Sequence, residues 1–535
     1  MARQRLGYPC LRPGQEPAIR ALTAGRDVVA VMPTGSGKSA IYQIAALLVP
    51  GPTIVVSPLI ALQRDQVQRI QERDAGGAVH VNSTLGSGAR DAALHAVTER
   101  RVEFMFVAPE QFSTDETIER VAASRPSLFV VDEAHCISEW GHDFRPDYLR
   151  LGAVVDAVGR PPLLALTATA SPHVRDEIVQ RLGMRDPLVI ARGFDRPNVW
   201  LGVESFHEDP AKRRALTARV AQAAKPGIVY AATRRRAEEL GDDLVAQGIR
   251  AVTYHAGLGA ARRLEIQEAF MADEAEVIVA TTAFGMGVDK PNVRFVFHLD
   301  VSDSVDSYYQ EVGRAGRDGD RADAVLFYRP EDLGLRRFFA AGGRVDATQL
   351  AEVAAAVRAD MPMDVEEISE VVDLSQAKVE TAIARLAAIE AVTETATGEV
   401  IAARDRAGGT ALAAAEAADA DEAHRAFQRS RVEMMRAYAE LRACRRQFIL
   451  NYFGEDLDAP CGFCDVCDAT VRATGPRDAD RPFPLAARVV HTRWGAGSVV
   501  RYDDDRVVIL FERAGYKTIL AASAIRRGLL RAAAS

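Results

Sequence analysis

The stretch DVVAVMPTGSGKSAIYQ, residues 27–43, narrows the fold of this chain more than any other part of it. An apolar run of strand character leads into a glycine-rich turn, and the turn leads into a helical pattern. Backbone amides in such a turn converge at the positive end of the helix dipole, where they surround phosphate oxygens. In that cradle Pro33, Thr34, Gly35, Ser36 and Gly37 supply the loop, Lys38 neutralises the terminal phosphates and Ser39 ligates magnesium. Met32 stands where the strict pattern has glycine. A plain tight turn is the alternative reading of the glycines alone.

Around this loop, short runs rich in valine, isoleucine, leucine and phenylalanine recur at DVVAVM, TIVVS, EFMFVA, SLFVVD and LLALT. Helical segments such as IALQRDQVQRI separate them, which is the alternation of a parallel α/β sheet. The rhythm restarts after residue 198 with GIVYAA, IRAVTYH, EVIVATT, VRFVFHL and AVLFY, so two α/β domains are expected, at 1–197 and 198–340. Residues 345–405 read as three helices and a strand-turn-strand, either a winged helix or a helical spacer. An alanine-rich linker or frayed helix follows, then a helical segment from Glu422 to Phe453 that opens a cysteine-bearing region at 422–470. After the linker TGPRDADRPFP, four short strands in 483–535 predict a small β-barrel.

The chain has 535 residues, 26% of them charged, with a net charge of -8. That length accommodates several domains, and the acidic total excludes a globally basic nucleic-acid binder while leaving room for a local basic track. No apolar run approaches the roughly 18 residues of a membrane span, and MARQRLGYPCLRPG has no secretion signal. The expectation is a cytoplasmic protein with no membrane partner.

About 90 residues beyond the loop, LFVVDEAH ends a buried run with two adjacent carboxylates. Asp132 is suited to holding magnesium through water, and Glu133 to orienting and deprotonating an attacking water. Two acids in isolation could simply cap a helix. Beside a phosphate cradle, in this order, they predict hydrolysis as well as binding.

DEAH together with LTATA at 166–170 and QEVGRAGRDG at 310–319 resembles the motif set of superfamily 2 helicases. Within that set, LRPGQEPAI at 11–19, VVSPLIAL at 55–62, HCISEWGHDFRPDY at 135–148, FDRPN at 194–198 and TTAFGMGVDKPNVRFVFH at 281–298 are similar to the RecQ family in order and spacing. The resemblance implies two RecA-like domains that bind ATP, magnesium and zinc and unwind DNA in repair and recombination, translocating 3'-to-5' on single strands. It places Gln15 on the adenine edge with Arg12 nearby, and Ser57, Pro58 and Leu59 on the DNA backbone. Trp140, His142, Phe144, Arg145 and Tyr148 then form a loop that senses single-stranded DNA, whereas without that context the aromatics read as core. His135 and Gln310 link DNA binding to hydrolysis. Gly287 and Asp289, at the nucleotide, with Gly285 and His255, resemble the motifs that contact DNA and relay nucleotide state.

Two domains that close on one nucleotide can alternate their grips on a strand, so the second must reach the first site. Arg314 and Arg317 are the residues for that, with Arg317 favoured as the finger. Surface ion pairs are the bland reading of two such arginines. Cys444, Cys461, Cys464 and Cys467 supply the four thiolates of a closed structural zinc, in words close to those of the RecQ zinc region.

The order of parts departs from that family, because about 100 residues intervene between the motor and the cysteines. The last 50 residues instead resemble the Tudor-like barrel of UvrD/PcrA-type helicases, which implies docking of RNA polymerase, another protein or DNA, with Trp494 either an exposed contact or a core residue. Single-stranded and branched duplex DNA are the expected partners. The rivals are an RNA helicase or non-unwinding translocase, against which the aromatic loop and zinc words argue, and a non-enzymatic scaffold, which would carry damaged motifs.

Overall fold

Four-residue runs such as VVAV, TIVV, FMFV and LFVV are apolar at every position, which suits strands covered on both faces. In the computed structural model they lie side by side in one parallel sheet. The structure describes residues 2–533 apart from 9, 34, 74–75, 139–143, 286–287, 289, 341–344, 346, 359–360, 390, 395–398, 403–408, 470–481 and 504–505.

The first domain contains strands Val28–Val31 (β1), Thr53–Val56 (β2), Ala78–Val81 (β3), Phe104–Val107 (β4), Leu128–Val131 (β5), Leu163–Thr167 (β6) and Leu188–Ala191 (β7), in the sheet order β3-β4-β2-β5-β6-β1-β7. The second contains Val199–Ser205 (β8), Gly227–Tyr230 (β9), Ala251–Tyr254 (β10), Val277–Ala280 (β11), Phe295–His298 (β12) and Ala322–Tyr328 (β13), in the order β10-β11-β9-β12-β13-β8. β3, β7 and β8 were not expected from the sequence. All three sit at or next to a sheet edge, where partial exposure breaks the apolar run. In both domains loops at the carboxyl ends of central strands carry the motifs, the usual place for ligands in open α/β sheets.

Beyond the motor, helices Ala347–Ala356, Val365–Val372 and Gln376–Ala388 and the antiparallel hairpin of Val392–Glu394 (β14) with Val400–Ala402 (β15) enclose a separate core around Val353, Ile368, Val379 and Leu386. This is the element order of a winged helix. The tip of its hairpin lies outside the described residues. Asp364 and Glu367 form a reciprocal capping box at the second helix.

The next segment differs from expectation. The alanine-rich stretch is the first part of one helix, Gly409–Ala439, and the helix anticipated from Glu422 to Phe453 is broken before Cys444. Cys444 takes a non-helical conformation and caps a second helix, Arg445–Tyr452, because it must turn its sulfur towards the other cysteines.

The final sheet has five strands, Arg488–His491 (β16), Gly495–Asp503 (β17), Arg506–Phe511 (β18), Gly515–Leu520 (β19) and Leu530–Ala532 (β20), in the antiparallel order β19-β18-β17-β16-β20. Among the described residues its edge strands do not pair with each other, so the sheet is open there. On β18, Val507, Ile509 and Phe511 face the sheet's own core, whereas Val508 and Leu510 join the core shared with the motor and the cysteine region. The sheet is therefore docked. Tyr516 Oη donates to Tyr452 Oη at 2.9 Å, and Tyr452 in turn donates to Asp306 of the second domain. Gly515, at φ +65°, lets β19 close on the long helix; a Cβ there would stand 2.4 Å from Ser430 Oγ. Trp494 stacks on His491 at 4.2 Å and packs towards Phe511.

Candidate active site and zinc centre

The phosphate loop is held open from beneath. Gly35 and Gly37 adopt φ of +82° and +80°, which favours glycine. Gln15 is buried against the loop, donating from Nε2 to the carbonyls of Ser36 at 3.1 Å and Gly37 at 2.9 Å while its Oε1 accepts from the Arg12 amide at 2.8 Å. Arg12 also donates to the Gly35 carbonyl. The amide expected on an adenine edge thus buttresses the loop, and a Cβ on Gly37 would meet Gln15 Nε2 at 2.9 Å. Lys38 Nζ donates back to the Met32 carbonyl at 3.0 Å. Burial lowers its pKa, against the opposing pull of Glu133 and Asp132. Thr34 lies outside the described residues.

A cavity of about 500 Å³ between the domains collects Lys38, Ser39, Asp132 and Glu133 from the first and Gln310, Arg314 and Arg317 from the second. Arg317 lies over the loop: a Cβ on Gly35 would touch its side chain at 3.6 Å, and its Nη1 donates to the Val288 carbonyl at 2.9 Å. Arg314 is buried and donates to the Gly285 carbonyl. Both arginines are therefore in the cleft. Gly287 and Asp289 lie outside the described residues. His255, placed by resemblance among the relay residues, is buried with its Nε2 3.0 Å from Glu238.

Glu133 sits at φ +48°, a left-handed conformation that is costly for a residue other than glycine. The turn it makes aims the carboxylates of Asp132 and Glu133 into the cleft. Burial, then the neighbouring Glu133, raises the pKa of Asp132, while Lys38 opposes the shift. The carboxylates of Asp132 and Glu133 and the hydroxyl of Ser39 line the same cavity and are an all-oxygen donor set for a hard divalent cation, so the residues fit magnesium. His135 Nδ1 lies 2.8 Å from Thr167 Oγ1 and 3.3 Å from Glu133 Oε2. Burial, with Lys38 and Arg145, pushes its pKa down to about 3, so the imidazole is neutral. It ties the acidic turn to LTATA, whose Thr167 Oγ1 donates to the Thr169 carbonyl at 3.0 Å.

The aromatic loop is only partly as expected. Tyr148 is fully buried and its hydroxyl donates to the Asp132 carbonyl at 3.0 Å, so it supports the acidic turn and has no face for a base. Arg145 Nη1 reaches the Pro58 carbonyl at 3.4 Å, joining this loop to SPL. Phe144, Pro58 and Leu59 are half-buried, and Ser57 is buried, its hydroxyl without a partner among the described residues. Trp140 and His142 lie outside the described residues.

Several contributors were not singled out from the sequence. Arg196 donates to the carbonyls of Gly313 at 3.0 Å and Ala315 at 2.6 Å, and Asn198 Nδ2 to Gly316 at 2.7 Å, so the interdomain linker props the turn that carries Arg317. Only their place in FDRPN signalled this. Tyr8 lines the cleft and donates to Gln43 Oε1 at 2.7 Å beneath Arg73.

The sulfurs of Cys444, Cys461, Cys464 and Cys467 lie within 4.8 Å of one another. Tetrahedral zinc with Zn–S near ~2.3 Å spaces its sulfurs by about 3.8 Å, and Cys461 and Cys467 stand 3.9 Å apart. Amides of Cys461 and Phe463 point at sulfurs at 3.3 Å, as thiolates require. The residues fit zinc. Around them Asp465 accepts from Arg445 at 2.6 Å and from the Val203 amide at 2.9 Å, and Asp468 accepts from Trp200 at 2.7 Å, which clamps the centre to β8. Glu455 takes the amides of Gly193 and Phe194, and Phe453 stacks on Phe194 at 4.7 Å. The cysteine region grips the hinge between the motor domains.

This pair of sheets around one phosphate cleft defines the class of two-domain helicase motors. Residues 12–178 match the DEAD/DEAH box helicase family, 211–319 the helicase conserved C-terminal domain and 404–468 the RecQ zinc-binding family. The chain is 34% identical over 485 residues to the ATP-dependent DNA helicase RecQ of Pasteurella multocida, covering 90% of this chain and 64% of that one. It is 38% identical over 351 residues to the probable ATP-dependent DNA helicase RecS of Bacillus subtilis, covering 65% of this chain and 70% of that one. The DEAD-box helicase Mss116, solved with single-stranded RNA and UDP-BeF, shares the fold with a TM-score of 0.52 at 16% identity, over 72% of this chain and 87% of that one. The chain belongs to the RecQ family of helicases. It spans a little under two thirds of the length of the first relatives it matches, 64% and 65%.

Proposed function

We propose that this protein hydrolyses ATP in the interdomain cleft when single-stranded DNA occupies the groove across both domains, and that it moves 3'-to-5' and separates duplex and branched DNA in repair and recombination. The observation that carries the reading is the position of Arg317 over Gly35, in the same cavity as Lys38 and Glu133. Lys38 and the loop amides bind the β- and γ-phosphates. Glu133 orients the attacking water and takes its proton. Arg317 offsets charge that develops on the γ-phosphate, an effect of roughly 10³ to 10⁵ in rate for such arginines. Ser39 and Asp132 would hold magnesium, which would supply positive charge to neutralise the phosphates.

Neutral His135 stands between the two, its Nδ1 2.8 Å from Thr167 Oγ1 and 3.3 Å from Glu133 Oε2, so movement of the LTATA turn changes the surroundings of the base. Arg145 on Pro58 connects the same turn to the strand-contacting segment. That chain of contacts supports coupling between DNA occupancy and hydrolysis.

Among the described residues no helix is long and apolar enough to cross a membrane, which fits action at the bacterial nucleoid. Trp494, packed on His491 and Phe511, supports the core reading of that residue and gives little support to docking of RNA polymerase through it. The test of the main reading is hydrolysis and strand separation on tailed and forked duplexes by the Lys38→Ala protein. Loss of both with DNA binding retained is expected. DNA-stimulated hydrolysis that survives the substitution sinks the mechanism, and stimulation by RNA in place of DNA assigns the motor to another substrate.

A further inference from the structure

The C-terminal sheet is charged oppositely to the rest of the chain. Residues 483–535 carry nine lysines and arginines against four acids, a net of +5 in a chain whose total is -8. Part of that charge is neutralised or internal: Arg488 pairs with Glu512 at 2.5 Å, and the buried Arg501 lies 4.3 Å from the ring centre of Phe448. Arg493, Arg506, Arg513, Lys517, Arg526, Arg527 and Arg531 remain, and among the described residues none of them forms an ion pair.

Two of these cations meet a third. Gly515 packs on Phe427 and Ser430, which brings Lys517, two residues further along β19, beside the helical turn that bears Arg429. Arg493 stands in the turn after β16, next to Trp494, whose ring lies 5.5 Å from that of Phe511, the register partner of Gly515 on the strand that bears Lys517. The group is close enough that Arg429 and Arg493 add to burial in lowering the pKa of Lys517. Among the described residues the exposed Glu422 stands 3.0 Å from Arg429. Converging like charges raise the energy of the free protein and favour an anion at the junction.

The kind of anion follows from what this face lacks. Single strands are gripped by stacking bases on aromatic rings. Here Trp494 is stacked within the sheet, Tyr502 exchanges hydrogen bonds with the backbone of Phe483, and Tyr516 is bonded to Tyr452. Charge without rings suits a backbone whose bases are already paired.

We propose that the junction of the C-terminal sheet with the long helix, centred on Arg429, Arg493 and Lys517, is a second DNA contact that holds the phosphate backbone of duplex DNA outside the motor groove. The inference rests on the DNA-motor reading and gives it a grip on the duplex that does not depend on ATP. Because the sheet is docked on the Tyr452 and Asp306 chain, duplex held there keeps a fixed position relative to the second domain.

The test uses the full chain, a short blunt duplex labelled for fluorescence anisotropy, and a titration of salt. Replacing Arg429, Arg493 and Lys517 together by glutamine is expected to weaken duplex binding at least about tenfold and to reduce the slope of log affinity against log salt by roughly 2 to 3. Hydrolysis stimulated by oligo-dT should stay unchanged. Lys517→Glu should weaken the duplex more than Lys517→Gln, an ordering that loss of packing alone would not produce. Unaltered affinity and slope, or a fall that ignores charge, overturns the proposal. Preference for a polyglutamate peptide over the duplex overturns it too, by assigning the patch to an acidic protein. Absence of oligo-dT-stimulated hydrolysis in the unsubstituted chain would instead remove the motor reading and leave the anisotropy result to stand alone.

Discussion

At the scale of single residues, the site is built from groups that the free protein holds at a cost. Asp132 is buried beside Glu133, and its raised pKa means that the folded protein binds a proton there which the unfolded chain releases at a lower pH. The sign is then fixed: the carboxyl costs nothing below its unfolded pKa, and stability falls as pH rises through the window up to the folded value. Asp132→Asn should therefore abolish hydrolysis yet raise the melting temperature, with the gain larger at pH 8 than at pH 5. A melting gain that is flat or inverted with pH would show that the carboxyl is not held protonated by burial. The chemistry at this scale was legible in the sequence where residue type and spacing suffice, as for Lys38, Asp132, Glu133, Arg317 and the four cysteines, all of which the fold brings to two centres. It was not legible for Tyr148, because an aromatic at a loop reads the same whether its hydroxyl meets solvent or the Asp132 carbonyl. Gln15 was found as a site residue but not for its observed task, since hydrogen bonds to Ser36 and Gly37 depend on chain folding over more than 20 positions.

At the scale of elements, the cysteine region does more than close on a metal. Its helix Arg445–Tyr452 and the residues after it hold the hinge through Arg446 on the Val199 carbonyl at 2.6 Å, Glu455 on two hinge amides and Phe453 on Phe194. Arg175 of the first domain donates to the Phe453 carbonyl at 2.8 Å, so one short segment touches both motor domains. Zinc centres in small modules contribute about 10 to 16 kcal/mol to local folding. Cys464→Ala should lose the metal, expose the hinge to protease and depress DNA-stimulated hydrolysis although no catalytic group is altered. Full metal content with normal protease resistance would mean the site is misassigned. The central strands of both sheets were readable from apolar runs, whereas the break before Cys444 was not, because the helical pattern continues through it and only the demand of four converging sulfurs interrupts it.

At the scale of the whole molecule, the parts are coupled. β18 is apolar on both faces, RVVILF, because one face fills the sheet's own core and the other is covered by the cysteine region and the long helix. A freely tethered barrel would show alternation there, so the sequence contained the signal for docking. Removing the bridging hydroxyl in Tyr516→Phe should cost the docked sheet about 1 kcal/mol, read as faster proteolytic release of residues 483–535 with an unchanged fold. Equal release rates would show that the apolar face alone holds it. The same coupling reaches the cleft, since Asp306 opens the helix Val305–Val312 that leads to Arg314 and Arg317.

The account rests on one nucleotide being shared by two domains, and steady-state hydrolysis by Arg317→Ala with saturating single-stranded DNA tests that most directly. The prediction is a fall in kcat of roughly 10³-fold, with nucleotide binding to the phosphate loop within a few-fold of the unsubstituted protein, because Lys38 and the loop amides are intact. An unchanged kcat, or a loss explained wholly by weaker nucleotide binding, would contradict it.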